Sequence, residues 1–214
     1  MRALRAATVA ASVLLAASCR TTGHDQQPMI VQPGAPGQAT RVITAAQAQA
    51  LEPPRHTAGD VRFMQGMIGH HAQAVEMTTL LETRTESADM RKLARRIELS
   101  QADEIKMMQE WLTRRGEPLP DPHAHHAPGH ALMPGMLSPE EMAKLAAAKG
   151  TAFDRLFLEY MIKHHEGALV MVRELFATPG AGQESDIYAF ASDVDADQRM
   201  EIERMRAMLK ELEK

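Results

Sequence analysis

Apolar positions recur every three or four residues along four long stretches of this chain, and no segment alternates apolar and polar residues with the period of a half-buried strand. The first stretch opens at Thr57-Ala58-Gly59-Asp60, with Asp60 as the expected N-cap, and runs to about Thr83. A polar turn over Thr85 to Asp89, with Ser87 as a candidate cap, leads into a second helix reaching about Arg115, and Gly116 stands where a terminating glycine belongs. Residues 116–137 are rich in Pro, Gly and His and read as irregular. Ser138-Pro139-Glu140-Glu141 combines a Ser cap, a Pro at the first helical position and a Glu three residues after the cap, which predicts a short helix ending near Gly150. Thr151-Ala152-Phe153-Asp154 repeats the capping pattern and opens a third long helix to about Ala177. After a Gly/Pro turn over 178–183, a fourth long helix covers about Ser185 to Leu212. Four long helices joined as two hairpins with short turns predict an all-α fold, an antiparallel four-helix bundle.

The two hairpins resemble each other in sequence. Phe63, Met67-Ile68, His70-His71, Ala74 and Met77 correspond to Phe157, Met161-Ile162, His164-His165, Ala168 and Met171 at a constant offset of 94. In the partner helices, Gln101, Glu104, Ile105, Met108 and Leu112 correspond to Gln198, Glu201, Ile202, Met205 and Leu209 at an offset of 97. The pattern is that of a duplicated hairpin. Neither copy can bury its apolar face alone, so residues 58–213 are expected to form one domain, with the linker at about 116–138 inside it.

Composition sharpens this picture. The chain has 16 Met and 10 His but only 5 Phe, 2 Tyr and 1 Trp, so its apolar content has moved from rings to thioethers. A single Cys excludes a disulfide framework and a cysteine-based zinc site. The formal net charge of -4 argues against a nucleic-acid partner.

The first residues read as an address. Arg2 and Arg5 precede an apolar run of 12 residues, Ala6 to Ala17, which is short for a membrane span and suits a signal segment. Leu15-Ala16-Ala17-Ser18-Cys19 resembles a bacterial lipoprotein signal, in which the cysteine becomes the lipidated first residue. Residues 1–18 are therefore expected to be removed, Cys19 to carry a lipid anchor, and 19–57 to act as a flexible tether. Removal takes away two Arg and no acid, leaving 22 basic against 28 acidic residues, a balance of -6. The expected location is the periplasm or cell envelope.

The helical stripes carry the chemistry. Met67, His70, His71 and Met77 follow helical spacing, as do Met161, His164, His165 and Met171. Adjacent His residues diverge by about 100° on a helix, so one of each pair is expected to face the core and the other a neighbouring helix or solvent. Thioether is a soft donor and imidazole a borderline one. Without thiolate, the mixture favours Cu(I), with Ag(I) as its analogue. Outside the repeat, His123, His125, His126 and His130 are followed by Met133 and Met136, which bring the same two donor types to the linker.

The paired Met-Ile-x-His-His-x-x-Ala motifs, each followed by Gln-x-x-Glu-Ile-x-x-Met, resemble the domain-of-unknown-function 305 family over about residues 58–213. The resemblance implies a ferritin-like four-helix bundle of secreted bacterial proteins, some of them periplasmic and copper-binding. By position it implies Met67, His70, His71, Met77, Met161, His164, His165 and Met171 as ligands. The linker cluster is no part of that motif.

Two readings stand against each other. In the first, the protein sequesters or transfers Cu(I) in the envelope: the linker captures the ion through its His and Met residues, the stripes hold it, and other envelope copper-handling proteins are possible partners. In the second, it is a metal-free scaffold or stress protein, with Met as adaptable core filler. An enzyme is not expected. The chain contains no Glu-x-x-His of the di-iron bundles, no His-Glu-x-x-His, no Gly-x-Ser-x-Gly and no P-loop.

Overall fold

A computed structural model of the chain describes residues 29–32, 39–121 and 132–213. Strands β1 (Ile30–Gln32) and β2 (Arg41–Ile43) pair antiparallel, with Val31 opposite Val42. Helix α1 (Ala45–Gln49) follows, capped by Thr44. The expected tether thus contains local order, because the Arg41–Ile43 backbone finds a partner strand. The bundle helices are α2 (Ala58–Thr79), α4 (Ala88–Arg114), α6 (Gly150–Ala177) and α7 (Ser185–Leu212). Two short helices, α3 (Leu81–Arg84) and α5 (Pro139–Ala147), sit in the connections. α2 packs on α4, α6 packs on α7, and α2 packs on α6, so the two hairpins meet along the helices that carry the His pairs.

Helix termini follow the capping chemistry with two corrections. Thr57, not Asp60, caps α2. Its hydroxyl accepts from the Gly59 and Asp60 N–H groups, while the Asp60 carboxylate reaches back to the Thr57 N–H at 2.7 Å. Asp60 is buried because its other oxygen accepts from the Gly182 N–H at 2.6 Å, which ties the start of α2 to the turn between α6 and α7. At α6, Thr151 and Asp154 do not form the expected cap. The cap position falls two residues earlier, at an extended Lys149, and Asp154 is buried instead. The Ser138–Glu141 box on α5 forms as expected, with Pro139 in the first turn. At the end of α4, Gly116 adopts φ +70°. The Glu117 N–H then reaches Leu112 O at 3.0 Å and the Gly116 N–H reaches Thr113 O at 3.1 Å, closing the helix by the left-handed route that glycine takes without strain.

The core divides into two clusters. One gathers Phe63, Met64, Met67, Met108, Trp111, Met171, Leu175 and Phe190 with their neighbours. The other gathers Met77, Met90, Leu93, Phe153, Phe157, Met161, Ile202 and Met205 with theirs. Met67 thus shares a cluster with Met171, and Met77 with Met161. This pairing follows from antiparallel packing of α2 on α6, and it leaves the histidines between the two clusters.

Candidate metal centre

Four imidazoles form a polar layer inside an otherwise apolar bundle. His70, His71, His164 and His165 are all fully buried. The rings of His70 and His164 meet across the α2–α6 contact, with centroids 3.8 Å apart and planes inclined by 37°. The expected division of each pair is met, with the first histidine at the core contact and the second at a neighbouring helix. The second histidine of each pair turns to the partner helix of its own hairpin, and none reaches solvent.

Each ring donates its Nε2–H to an oxygen that can only accept. His71 Nε2 lies 2.6 Å from Glu104 Oε2, and His165 Nε2 lies 2.7 Å from Glu201 Oε2. His70 Nε2 lies 3.0 Å from Pro134 O, and His164 Nε2 lies 3.0 Å from the backbone oxygen of His70. A carboxylate or carbonyl oxygen fixes which nitrogen carries the proton. All four Nδ1 atoms are buried with no hydrogen-bond partner. Burial pushes the His70 imidazolium pKa down to about 3, helped by the charge of neighbouring His71 and opposed by the Pro134 carbonyl. Burial likewise holds His164 well below the ordinary histidine range, with His70 the next cause. Both rings are therefore neutral at physiological pH, and their Nδ1 atoms present bare lone pairs. An imidazole whose other nitrogen is held by a carboxylate or carbonyl is the usual orientation of a metal-ligating histidine.

Carboxylates do not complete the site. Among the described residues, no three His, Cys, Asp or Glu side chains gather closely enough to hold a metal by themselves. The remaining soft donors nearby are thioethers. Met67, Met77 and Met161 are fully buried and Met171 nearly so, but they lie in the two flanking clusters. The eight motif residues therefore do not converge on one point. The histidines form a central layer with a pair of thioethers in the core on each side.

The linker residues behave differently from one another. His123, His125, His126 and His130 lie outside the described residues, as does Cys19. Met133 is partly buried against the first cluster, and Met136 is buried within the fold. Its packing does not suit Met136 to capture at a free linker. The reason is local: Gln73 on α2 clamps the segment from both sides, donating to Leu137 O at 3.0 Å and accepting from the Leu137 N–H at 2.8 Å. Gly135 and Gly167 bring the segment's backbone directly onto α6. A side-chain carbon on Gly135, which has φ +77°, would stand 2.5 Å from Lys163 O.

Sequence reasoning assigned no role to Glu104, Glu201, Gln73 or Pro134. A signal existed for the first two, since both recur in the duplicated pattern on stripes otherwise occupied by Ile and Met. For Pro134 no signal existed, because a backbone carbonyl leaves no trace in residue type.

The fold and this interior define a class: an all-α bundle of two similar helical hairpins with a buried histidine layer between methionine-rich cores. The chain belongs to the family described as Domain of unknown function (DUF305), whose profile matches residues 60–209. Among solved structures it is similar to a DUF305 fragment from Deinococcus radiodurans, at 33% identity and a TM-score of 0.65 over 74% of this chain and 99% of that one. A putative secreted DUF305 protein from Streptomyces coelicolor is similar at 30% identity and a TM-score of 0.62, over 72% and 93% of the two chains. CopM in its Cu(II)-bound form shows 27% identity and a TM-score of 0.60, over 71% and 96%. CopM is also solved in Cu(I)-bound, Ag-bound and apo forms. No curated protein sequence matches the chain.

Proposed function

We propose that this protein binds copper in the cell envelope, sequestering or transferring Cu(I) without catalysis. The observation that carries the reading is the set of four buried Nδ1 atoms without partners, each on a ring oriented by an oxygen acceptor at its opposite nitrogen, in a layer between two methionine-containing cores. A packing-only interior has no use for four Nδ1 atoms without a hydrogen-bond partner, since leaving a buried polar atom unpaired is costly. Neutral sulfur and nitrogen donors suit Cu(I) and Ag(I) and add no charge, which keeps exchange feasible. The likeness to CopM, solved with copper and silver, supports the same choice of metal. Export rests on the basic-then-apolar start of the chain, and anchoring rests on Cys19. The linker tract His123, His125, His126 and His130 is the proposed capture segment, and envelope copper-handling proteins are the proposed partners.

An anaerobic Cu(I) titration against a competing coloured chelator tests the reading. Wild-type protein is expected to compete stoichiometrically. A variant carrying Met67→Leu, His70→Ala, Met161→Leu and His164→Ala, shown by circular dichroism to fold, is expected to lose that competition. If wild type does not compete at all, the histidines and methionines serve packing, and a scaffold acting through protein partners becomes the function.

The carboxylates give a second, finer prediction. Glu104→Leu with Glu201→Leu leaves two Nε2–H groups unheld and is expected to weaken Cu(I) binding by roughly 10–100-fold. Glu104→Gln with Glu201→Gln keeps an acceptor oxygen and is expected to retain most of the affinity in the same titration. Equal losses in both pairs would show that negative charge matters rather than ring orientation.

A further inference from the structure

The histidine layer is sealed from solvent, so a bound ion needs a way in. Beside it, a cavity of about 270 Å³ opens on the flank of the bundle, with Gly66, Met133, Pro134 and Met171 in its wall. A side-chain carbon added at Gly66 would stand 3.4 Å from Met133 Sδ and 3.4 Å from Met171 Cε. Two thioether side chains, one from the clamped linker segment and one from α6, therefore overlie the same glycine. Outward, Met133 is only partly buried. Inward, Met171 shares its core cluster with fully buried Met67, and Pro134, next to Met133, supplies the carbonyl that holds His70. Solvent, a thioether pair and the first buried imidazole thus lie in sequence.

We propose that Met133 and Met171 form an entry site for a monovalent soft cation, Cu(I) or Ag(I), through which the ion passes from solvent to the histidine layer. The proposal rests on the copper-binding function above and adds the route to its ligands. Arg62 and Glu174 both stand in the cavity wall, one of each sign, so charge does not select what enters. Sulfur does. Two neutral thioethers hold a soft d10 ion in place of its water and offer little to Ca(II), Mg(II) or Zn(II). They also carry no charge to trap the ion, which suits transit. Gly66 is part of the device, because a larger side chain there would fill the space in which the two thioethers meet.

The test separates entry from storage. Loading with Cu(I) from its chelator complex is followed anaerobically in wild type and in Met133→Leu, a swap that conserves volume. The variant is expected to load about tenfold more slowly, as befits the loss of one ligand at the slow step, and to reach the wild-type endpoint. In parallel, protein carrying [methyl-13C]Met is titrated with Ag(I). The Met133 and Met171 methyl signals are expected to shift together, and to do so even in His70→Ala/His164→Ala, which removes the central pair of the storage layer. Equal loading rates, or unshifted Met133 and Met171 methyls in a wild type that loads fully, would overturn the entry site and leave the copper-binding function standing. A reduced endpoint at an unchanged rate would make Met133 a permanent ligand and also overturn it. Absence of uptake by wild type would overturn the function itself, and the entry role with it.

Discussion

Replacing Gly167 by alanine is expected to destabilise the protein by about 3 kcal/mol, a large value for adding one methyl group to an exchange of this size. The added carbon would run into the Pro134 carbonyl oxygen and lie 2.6 Å from Gly135 Cα. Those are backbone atoms, so no rotamer change relieves the clash. The 132–137 segment must lift from α6. It would take with it the Pro134 carbonyl that holds His70 and strain the Gln73–Leu137 clamp. The comparison variant is Gly66→Ala on α2. There the new carbon meets its nearest neighbours at 3.4 Å, an ordinary contact. Removing a glycine from a helix interior is worth roughly 0.5–1 kcal/mol in the stabilising direction. Urea unfolding of both variants checks the pair of signs: the midpoint falls for Gly167→Ala and holds or rises for Gly66→Ala, with m unchanged. A Gly167→Ala midpoint equal to wild type would show that the segment does not press on α6 in solution.

Acidification of the metal-free protein is expected to produce the second large effect. His70 titrates at about 3 in the fold and near 6.5 when unfolded, chiefly because burial disfavours its charged form. Between those values the unfolded chain binds a proton that the folded chain refuses, so stability falls as pH falls. From this group alone the loss at pH 5 is about 2 kcal/mol relative to neutral pH. His164 is shifted in the same direction and adds to the loss. Asp154 runs the other way: burial raises its pKa, and acid relieves that penalty. The histidines are expected to dominate, since they are the more deeply buried groups. Urea midpoints at pH 7.5 and pH 5 measure the slope. The variant His70→Asn/His164→Asn, which removes the two rings whose charging burial disfavours, should show a clearly flatter dependence. A wild-type midpoint that holds steady down to pH 5 would mean that the layer accepts protons or opens to water.

Much of this architecture is legible along the chain, and particular residues show where legibility stops. Ser138, Pro139 and Glu141 announce the start of α5 because capping is local: three residues contain all the partners. Asp60 and Asp154 show the opposite. Both stand in local capping patterns, yet Asp60 also accepts from Gly182 in the turn between α6 and α7, and Asp154 is buried where its helix begins without a side-chain cap. At the candidate centre, the inward stripe of Met67, His70, Met77 and their counterparts follows from spacing. The oxygen partner of each imidazole does not. Helical periodicity states which face a residue occupies, and it is silent on which atom of another helix meets it.

By itself, then, the sequence determined four amphipathic helices in two similar hairpins, the His and Met composition of their buried faces, and the soft-donor chemistry those side chains allow. These follow from residue type and from a period of 3.6, both properties of a single segment. Tertiary structure decided the rest: the contact of His70 with His164, the shared cluster of Met67 with Met171 and of Met77 with Met161, the carbonyl of Pro134 over His70, and the placing of both Met133 and Met171 over Gly66. Each of these joins residues that only packing brings together. They depend on which helix lies beside which and at what register, a choice made by the burial of all the apolar faces at once.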